Sequence, residues 1–344
     1  VIALFRRRPW LAGKIAHLSL GRFPTPIDRV PGLLPRGVDL WVKREDRAAT
    51  IYGGNKVRKL ELLLADAEAR GKKRVATLGG WGSHHALATA LFARERGLGC
   101  DLHLFPQPMN EHVREQLRAD LAAGARVHVA ASLLGVLPSV FGVRMRSEVA
   151  WLAPGGSSPL GSLGWVSAAD EIIEQVARGE LPAPDVVYVA LGSCGTVAGL
   201  LAGFRGAGFV PEVVGVRVVE RPISGFGPTR ALEERTLALL DEDATSPVPF
   251  RVAHAQIGRC YGAATPAAKH AVIAAAGVGL RLESTYTGKA MAQLLADAAS
   301  GKLDGKRVLF IDSYSSVDLA PLLATLDEAA IPASIRAILA RRDD

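Results

Sequence analysis

From about Val38 onward the chain alternates apolar bursts of strand length with longer alanine- and leucine-rich stretches whose apolar positions recur at helical spacing. That alternation limits the fold more than any single motif. Strands are expected at Asp39–Val42, Arg74–Leu78, Asp101–Leu104, Arg126–Val129, Val186–Ala190, Val213–Val218 and Val308–Ile311. Nearly all are short, apolar and separated by enough chain for a crossover helix, which is the grammar of an α/β protein with parallel sheets. Helices are expected at Lys56–Ala69, His84–Arg96, Glu111–Ala123, Gly164–Ala177, Thr196–Ala207 and Thr287–Ala299. Two stretches break the rhythm and read as loops or crossings, Pro154 to Pro159 and Val219 to Val248. At about 100–200 residues per domain, 344 residues imply two domains.

Composition narrows the function classes. With 49% hydrophobic and 22% charged residues the chain supports a packed core. The net charge of +7 comes from scattered basic clusters, Arg6-Arg7-Arg8, Lys72-Lys73-Arg74 and Arg341-Arg342, with no basic stripe interleaved with aromatics. Nucleic acid is therefore not an expected partner. Cys100, Cys194 and Cys260 lie far apart, which excludes a disulfide framework and a paired-cysteine zinc site. Residues 1–13 lack an apolar secretory core and no run reaches membrane-spanning length, so the expected partners exclude a membrane and the expected location is the cytoplasm.

Four segments carry residues suited to chemistry. Gly53-Gly54-Asn55-Lys56 leads into a helix, and the two glycines would let the backbone approach a ligand closely. Lys56 and Lys59 sit where a helix dipole disfavours cations, so each is either a solvated charge or an amine lowered toward Schiff-base chemistry. Leu78 to His85 runs from a strand through a glycine-rich turn to a helix, with Ser83 as either a helix cap or an anion contact. The adjacent His84 and His85 face different directions on that helix and make no metal pair with each other, and no metal site is expected. Gly192-Ser193-Cys194-Gly195-Thr196 also joins a strand to a helix and could cradle a phosphate, although it lacks the Walker and dinucleotide spacings. Tyr286, just before a helix, is either a general acid or base or a packed core phenol.

Taken in order, Gly21 to Pro26, Lys43 to Asp46, Gly53 to Glu61, Pro154 to Gly164, Gly192 to Gly199 and Tyr286 to Met291 resemble the D-cysteine desulfhydrase and aminocyclopropane-carboxylate deaminase family. These are pyridoxal-phosphate enzymes of the tryptophan-synthase-β type, fold type II. The resemblance implies two three-layer α/β domains with mostly parallel sheets. The smaller would span residues 55–160 and the larger residues 1–54 and 161–344, with the active site in the cleft between them. It implies pyridoxal 5'-phosphate as cofactor, a small amino acid as substrate and a homodimer.

Residue by residue, the resemblance makes Lys56 the lysine that condenses with the cofactor aldehyde, with Asn55 beside it and Lys59 on the phosphate. Gly192, Ser193, Cys194, Gly195 and Thr196 match the phosphate loop, Ser83 the serine that meets substrate, Tyr286 the active-site tyrosine and Ser313 the hydroxyl at the pyridine nitrogen. A hydroxyl there keeps the ring weakly protonated and suits elimination over transamination. The implied reaction is α,β-elimination, D-cysteine going to pyruvate, sulfide and ammonia. Its alternatives are aminocyclopropane-carboxylate deamination, another reaction such as racemisation, or a retired enzyme that only binds. Four departures from the family bear on this reading. His84 replaces an asparagine that meets the ring 3-oxygen, Cys194 replaces a glycine, and Asp312-Ser313-Tyr314-Ser315 replaces His-Thr-Gly-Gly, setting a carboxylate and a phenol on the pyridine side. Gln256 is expected where the deaminases carry a second tyrosine.

Overall fold

The structure, a computed structural model, describes residues 1–35, 37–242 and 246–342. Among these residues ten strands make two sheets. The larger contains β1 (Ile27–Arg29), β2 (Asp39–Lys43), β7 (Val186–Leu191), β8 (Glu212–Arg217), β9 (Phe250–Ala253) and β10 (Arg307–Ile311), in the order β1-β2-β10-β7-β8-β9. The smaller contains β3 (Arg74–Gly80), β4 (Gly99–Phe105), β5 (Arg126–Val129) and β6 (Val149–Trp151), in the order β5-β4-β3-β6. Every ladder is parallel except β1 with β2.

Twelve α-helices accompany the strands among the described residues: α1 (Ala3–Arg7), α2 (Val57–Ala69), α3 (His84–Glu95), α4 (Glu111–Ala122), α5 (Leu137–Arg144), α6 (Pro159–Ala177), α7 (Gly195–Gly206), α8 (Phe226–Leu237), α9 (Pro266–Ala276), α10 (Thr287–Ala299), α11 (Ala320–Leu323) and α12 (Ala333–Leu339). The unbroken apolar run of β7 follows from helices covering both faces of its sheet. Val186, Tyr188 and Ala190 pack toward Ala271 and Ala275 of α9 and Met291 and Leu294 of α10. Val187, Val189 and Leu191 point the other way, into Trp165 and Ile172 of α6 and Val197 and Leu201 of α7. The smaller sheet is covered likewise. Val75 and Leu102 face α2, α3 and α4, while Ala76 meets Val143 of α5 on the opposite face. Ile335 and Ile338 of α12 also join the cluster on the smaller sheet. No helix among the described residues is long and apolar enough to cross a membrane.

Two sequence expectations are corrected. The stretch Val219 to Val248 is not wholly a crossing loop, because α8 lies within it and buries Leu232 and Leu237. Helix α6 starts at Pro159 rather than Gly164, because Ser158 caps it by accepting from the Gly161 amide at 3.1 Å and proline suits the first helical position.

Parallel strands place their carboxyl ends on one side, where open α/β sheets gather ligands. Here β3 ends at Gly80 just before α3, β7 ends at Leu191 just before α7, and β10 ends at Ile311 just before Ser313.

Candidate active site

Those strand ends open on a cavity of about 290 Å³, at the low end for small-molecule sites. All twelve site residues expected from the sequence line it: Asn55, Lys56, Lys59, Ser83, His84, Gly192, Ser193, Cys194, Gly195, Thr196, Tyr286 and Ser313. Four of them, Lys56, Ser83, Cys194 and Tyr286, are the residues immediately before α2, α3, α7 and α10. Four helix N-termini thus converge on one space, each carrying about half a positive charge and unpaired amides. Such a cavity selects an anion.

The diglycine before Lys56 has a different role from the one its sequence suggested. A side chain on Gly53 would strike the Asp46 carbonyl oxygen at 1.9 Å, and one on Gly54 the Ser313 carbonyl oxygen at 2.7 Å. Gly54 also has φ +89°, a conformation that glycine alone adopts readily. The glycines therefore let backbone meet backbone rather than ligand, and neither lines the cavity. They clasp the Ser313 turn to the start of α2: the Gly53 amide donates to Ser315 Oγ at 2.9 Å and the Asn55 amide to the Ser313 carbonyl at 3.2 Å. Lys56 is thereby fixed, with Nζ donating to Asn55 Oδ1 at 2.6 Å. Burial lowers its pKa to about 8, an effect that Glu283 partly opposes.

One helical turn on, Lys59 is buried and faces the start of α7. Its Nζ donates to the Gly155 carbonyl at 3.0 Å and to Ser157 Oγ at 3.4 Å. Burial, and then Lys56, holds this amine well below its ordinary range. Around it lie the hydroxyls of Ser157, Ser193 and Thr196. Ser157 Oγ is 2.8 Å from Ser193 Oγ and accepts from the Gly195 amide, and Asn55 Nδ2 donates to Thr196 Oγ1 at 2.9 Å. His85 closes this wall with both ring nitrogens buried and unpartnered. A side chain at Gly195 would meet Ser157 Oγ at 2.6 Å and Lys59 Nζ at 2.9 Å, so glycine keeps the cradle open. Cys194 lies in the left-handed region at φ 70°, a conformation costly for a residue with a side chain.

The opposite wall carries Ser83, His84 and Tyr286. Ser83 Oγ caps α3 by accepting from the Ala86 amide at 3.3 Å. The adjacent histidines diverge as helix geometry requires, His85 toward Lys59 and His84 toward Tyr52 and His112. Both ring nitrogens of His84 are engaged, Nδ1 with the Tyr52 hydroxyl at 2.7 Å and Nε2 with His112 Nε2 at 3.2 Å. Burial, then His112 and Lys56, keeps His84 well below the usual imidazole range.

Tyr286 meets a second phenol in the cavity, Tyr261, at 2.5 Å between hydroxyl oxygens. Burial, reinforced by Tyr261, raises Tyr286 well above its ordinary range, and burial raises Tyr261 to about 12, so both carry their protons at neutral pH. The expectation that Gln256 takes the place of a second tyrosine is thus corrected: Gln256 is outside the lining and Tyr261, five residues on, is inside. Asp312 is corrected as well. Its carboxyl is wholly buried and absent from the cavity wall, raised well above the usual carboxyl range by burial and then by Asp46, while Ser313 and Tyr314 do line the space.

Comparison with known proteins agrees with this geometry. The chain is 33% identical over 309 residues to nocardicin C-9' epimerase of Nocardia uniformis subsp. tsuyamanensis, covering 87% of this chain and 92% of that one. It is 31% identical over 312 residues to D-cysteine desulfhydrase of Salmonella typhi, covering 87% and 93%. A crystal structure described as an ACC deaminase homologue superposes with a TM-score of 0.78 at 28% identity, covering 94% of this chain and 99% of that one. The family model described as "Pyridoxal-phosphate dependent enzyme" matches residues 18–313, a span that takes in both sheets and all of the cavity lining but Tyr314, and the chain belongs to that family.

Proposed function

We propose that this enzyme is a lyase that removes a β-substituent from a small amino acid, with D-cysteine as its representative substrate and pyruvate, sulfide and ammonia as products. The observation that carries the reading is one amine of lowered pKa, Lys56 Nζ, sharing a small cavity with a pair of protonated phenols, Tyr261 and Tyr286.

The residues present fit pyridoxal phosphate. The glycine-lined cradle at the start of α7, with Lys59, three hydroxyls and the orphan His85, suits a phosphate dianion, and Lys56 suits the aldehyde. Ser313 is the hydroxyl available to the pyridine nitrogen. Pyridoxal phosphate, when bound, supplies an aldehyde carbon for amine exchange and a ring that takes up negative charge from the substrate α-carbon. In our reading Lys56 Nζ is the base that takes the α-proton. The amides at the start of α3 and Ser83 Oγ hold the substrate carboxylate. The Tyr286 hydroxyl, backed by Tyr261, gives its proton to the departing sulfur. The released enamine hydrolyses to pyruvate and ammonia. The cavity, about 290 Å³, has room for the cofactor and a short side chain.

Cyclopropane opening of aminocyclopropane carboxylate is a second reading, favoured by the Tyr261–Tyr286 pair, which restores the second phenol. The domain division, 55–160 against 1–54 with 161–344, the homodimer and the cytoplasmic location extend the proposal on the family resemblance. Incubation with D-cysteine and, separately, with the cyclopropane amino acid, followed by assays for sulfide and 2-oxobutyrate, decides between the two reactions. Neither product appearing would overturn both.

A further inference from the structure

His84 and His112 come from different helices, yet their Nε2 atoms stand 3.2 Å apart. The outer nitrogens decide what that approach means. His112 Nδ1 faces Glu115 Oε2 at 3.8 Å, which turns the other ring nitrogen, Nε2, toward His84. His84 Nδ1 is taken up by the Tyr52 hydroxyl at 2.7 Å, which also lies 3.3 Å from Gln116 Oε1, so this ring likewise turns Nε2 toward its neighbour. Both Nε2 atoms are turned toward the same point, where they can share a proton or hold a cation between them.

The separation matches a metal. Two imidazoles on a tetrahedral ion with Zn–N bonds of 2.0–2.1 Å sit about 3.3 Å apart. Glu283 completes the set, because one oxygen atom of its carboxylate and one nitrogen of each ring lie within 4.8 Å of one another. Its Oε1 is committed to the start of α10, whereas Oε2 accepts only the Thr285 amide and keeps a lone pair. The partners behind the ligands, a hydroxyl on one imidazole and a carboxylate on the other, are those that orient histidines in metal sites.

We propose that His84, His112 and Glu283 bind a divalent first-row ion of the zinc class and that its binding inhibits the enzyme. Two imidazoles and a carboxylate are a donor set for Zn²⁺, Co²⁺ and their neighbours, with a fourth position open to the cavity for water. The ion would stand on the wall that carries Ser83 and beside Tyr286, whose ring centroid is 5.8 Å from that of His84, and so contends with substrate for the same space. The site uses no atom of the cofactor.

The test is a Co²⁺ titration of the chelator-treated holoenzyme, followed by Zn²⁺ competition and a Zn²⁺ inhibition curve. One Co²⁺ per chain is expected, with the strong visible absorption of four-coordinate cobalt and displacement by Zn²⁺. His112→Ala should weaken uptake by at least ~10-fold and relieve Zn²⁺ inhibition to the same degree while keeping the cofactor absorbance. Glu115→Gln, which leaves all three ligands in place, should weaken uptake by about 10-fold and serves if the first variant fails to fold. No uptake, a pale six-coordinate spectrum, or uptake unchanged in both variants would overturn the site, and uptake without inhibition would overturn its regulatory role. If the purified protein held no pyridoxal phosphate, the family reading would suffer while the cobalt titration stayed decisive.

Discussion

Lys43, at the end of β2, and Lys56, just before α2, are in opposite circumstances. Lys43 is fully buried and saturated: its Nζ donates to the Thr25 carbonyl at 2.8 Å, to Gln175 Oε1 at 2.6 Å and to Glu171. Glu171 also takes Arg58 Nη2 at 2.8 Å, and Arg58 in turn grips Glu45 through two nitrogens at 2.8 Å each. Burial alone would raise Glu171, but Arg58 and then Lys43 hold it below its ordinary range. Lys56, two residues before Arg58, has Asn55 Oδ1 as its acceptor and an open cavity beyond. A network complete within the protein fixes geometry, and polar groups left short of partners mark the place reserved for a ligand.

The sharpest way to break this comparison is to remove each lysine's chemistry in turn. Lys56→Ala should cut turnover by about 10⁴-fold, the upper end for a positioned base, and abolish pyridoxyl labelling after borohydride reduction, read by mass spectrometry. It should change the urea midpoint of the cofactor-free protein little, since the bond lost is the single one to Asn55 Oδ1. Glu171→Ala should do the reverse, lowering stability by about 3–5 kcal/mol in urea melts because Lys43 is left buried without a counter-charge and Arg58 keeps only Glu45. If the two variants behaved alike, the contrast between scaffold and site would be wrong.

Smaller effects sharpen it. Tyr286→Phe should lower kcat about 100-fold with the cofactor absorbance retained, and Tyr261→Phe should do less, since it acts through Tyr286. Reaction with an aldehyde needs the neutral amine. The rate at which stripped protein takes up pyridoxal phosphate should therefore rise with pH and level off above about 8, rather than continuing toward 10.5 as for a free lysine. Cys194→Gly should stabilise the protein by about 1 kcal/mol in thermal or urea melts, because glycine relieves the left-handed strain at φ 70°.

Legibility followed the reach of local physics. The buried strands β3, β7 and β10 announce themselves as apolar bursts because helices cover both their faces, whereas β1, β6 and β9, of three or four residues, give no such signal. Helix α8 hid in a stretch punctuated by Pro222, Gly225, Gly227 and Pro228, and α9 was missed although its alanines and the cap from Thr265 to the Ala268 amide mark it. The helix-capping site residues were readable because a strand, a glycine turn and a helix are contiguous in sequence. Tyr261 was not, since it reaches the cavity from a turn with no periodicity, and His112 meets His84 only through the packing of α3 against α4. For the same reason His85, named only for its direction, emerged as part of the anion wall once Lys59 and Gly156 were seen beside it.

Lys56 and Lys59 stand at the start of a single rigid helix, three residues and about 4.5 Å of axial rise apart. That pair works as a ruler. Were the two sheets to tilt, the amine proposed for the aldehyde and the one proposed for the phosphate would travel together, so the span between them would stay constant. Any closure would then alter what surrounds the substrate without loosening the proposed grip on what activates it.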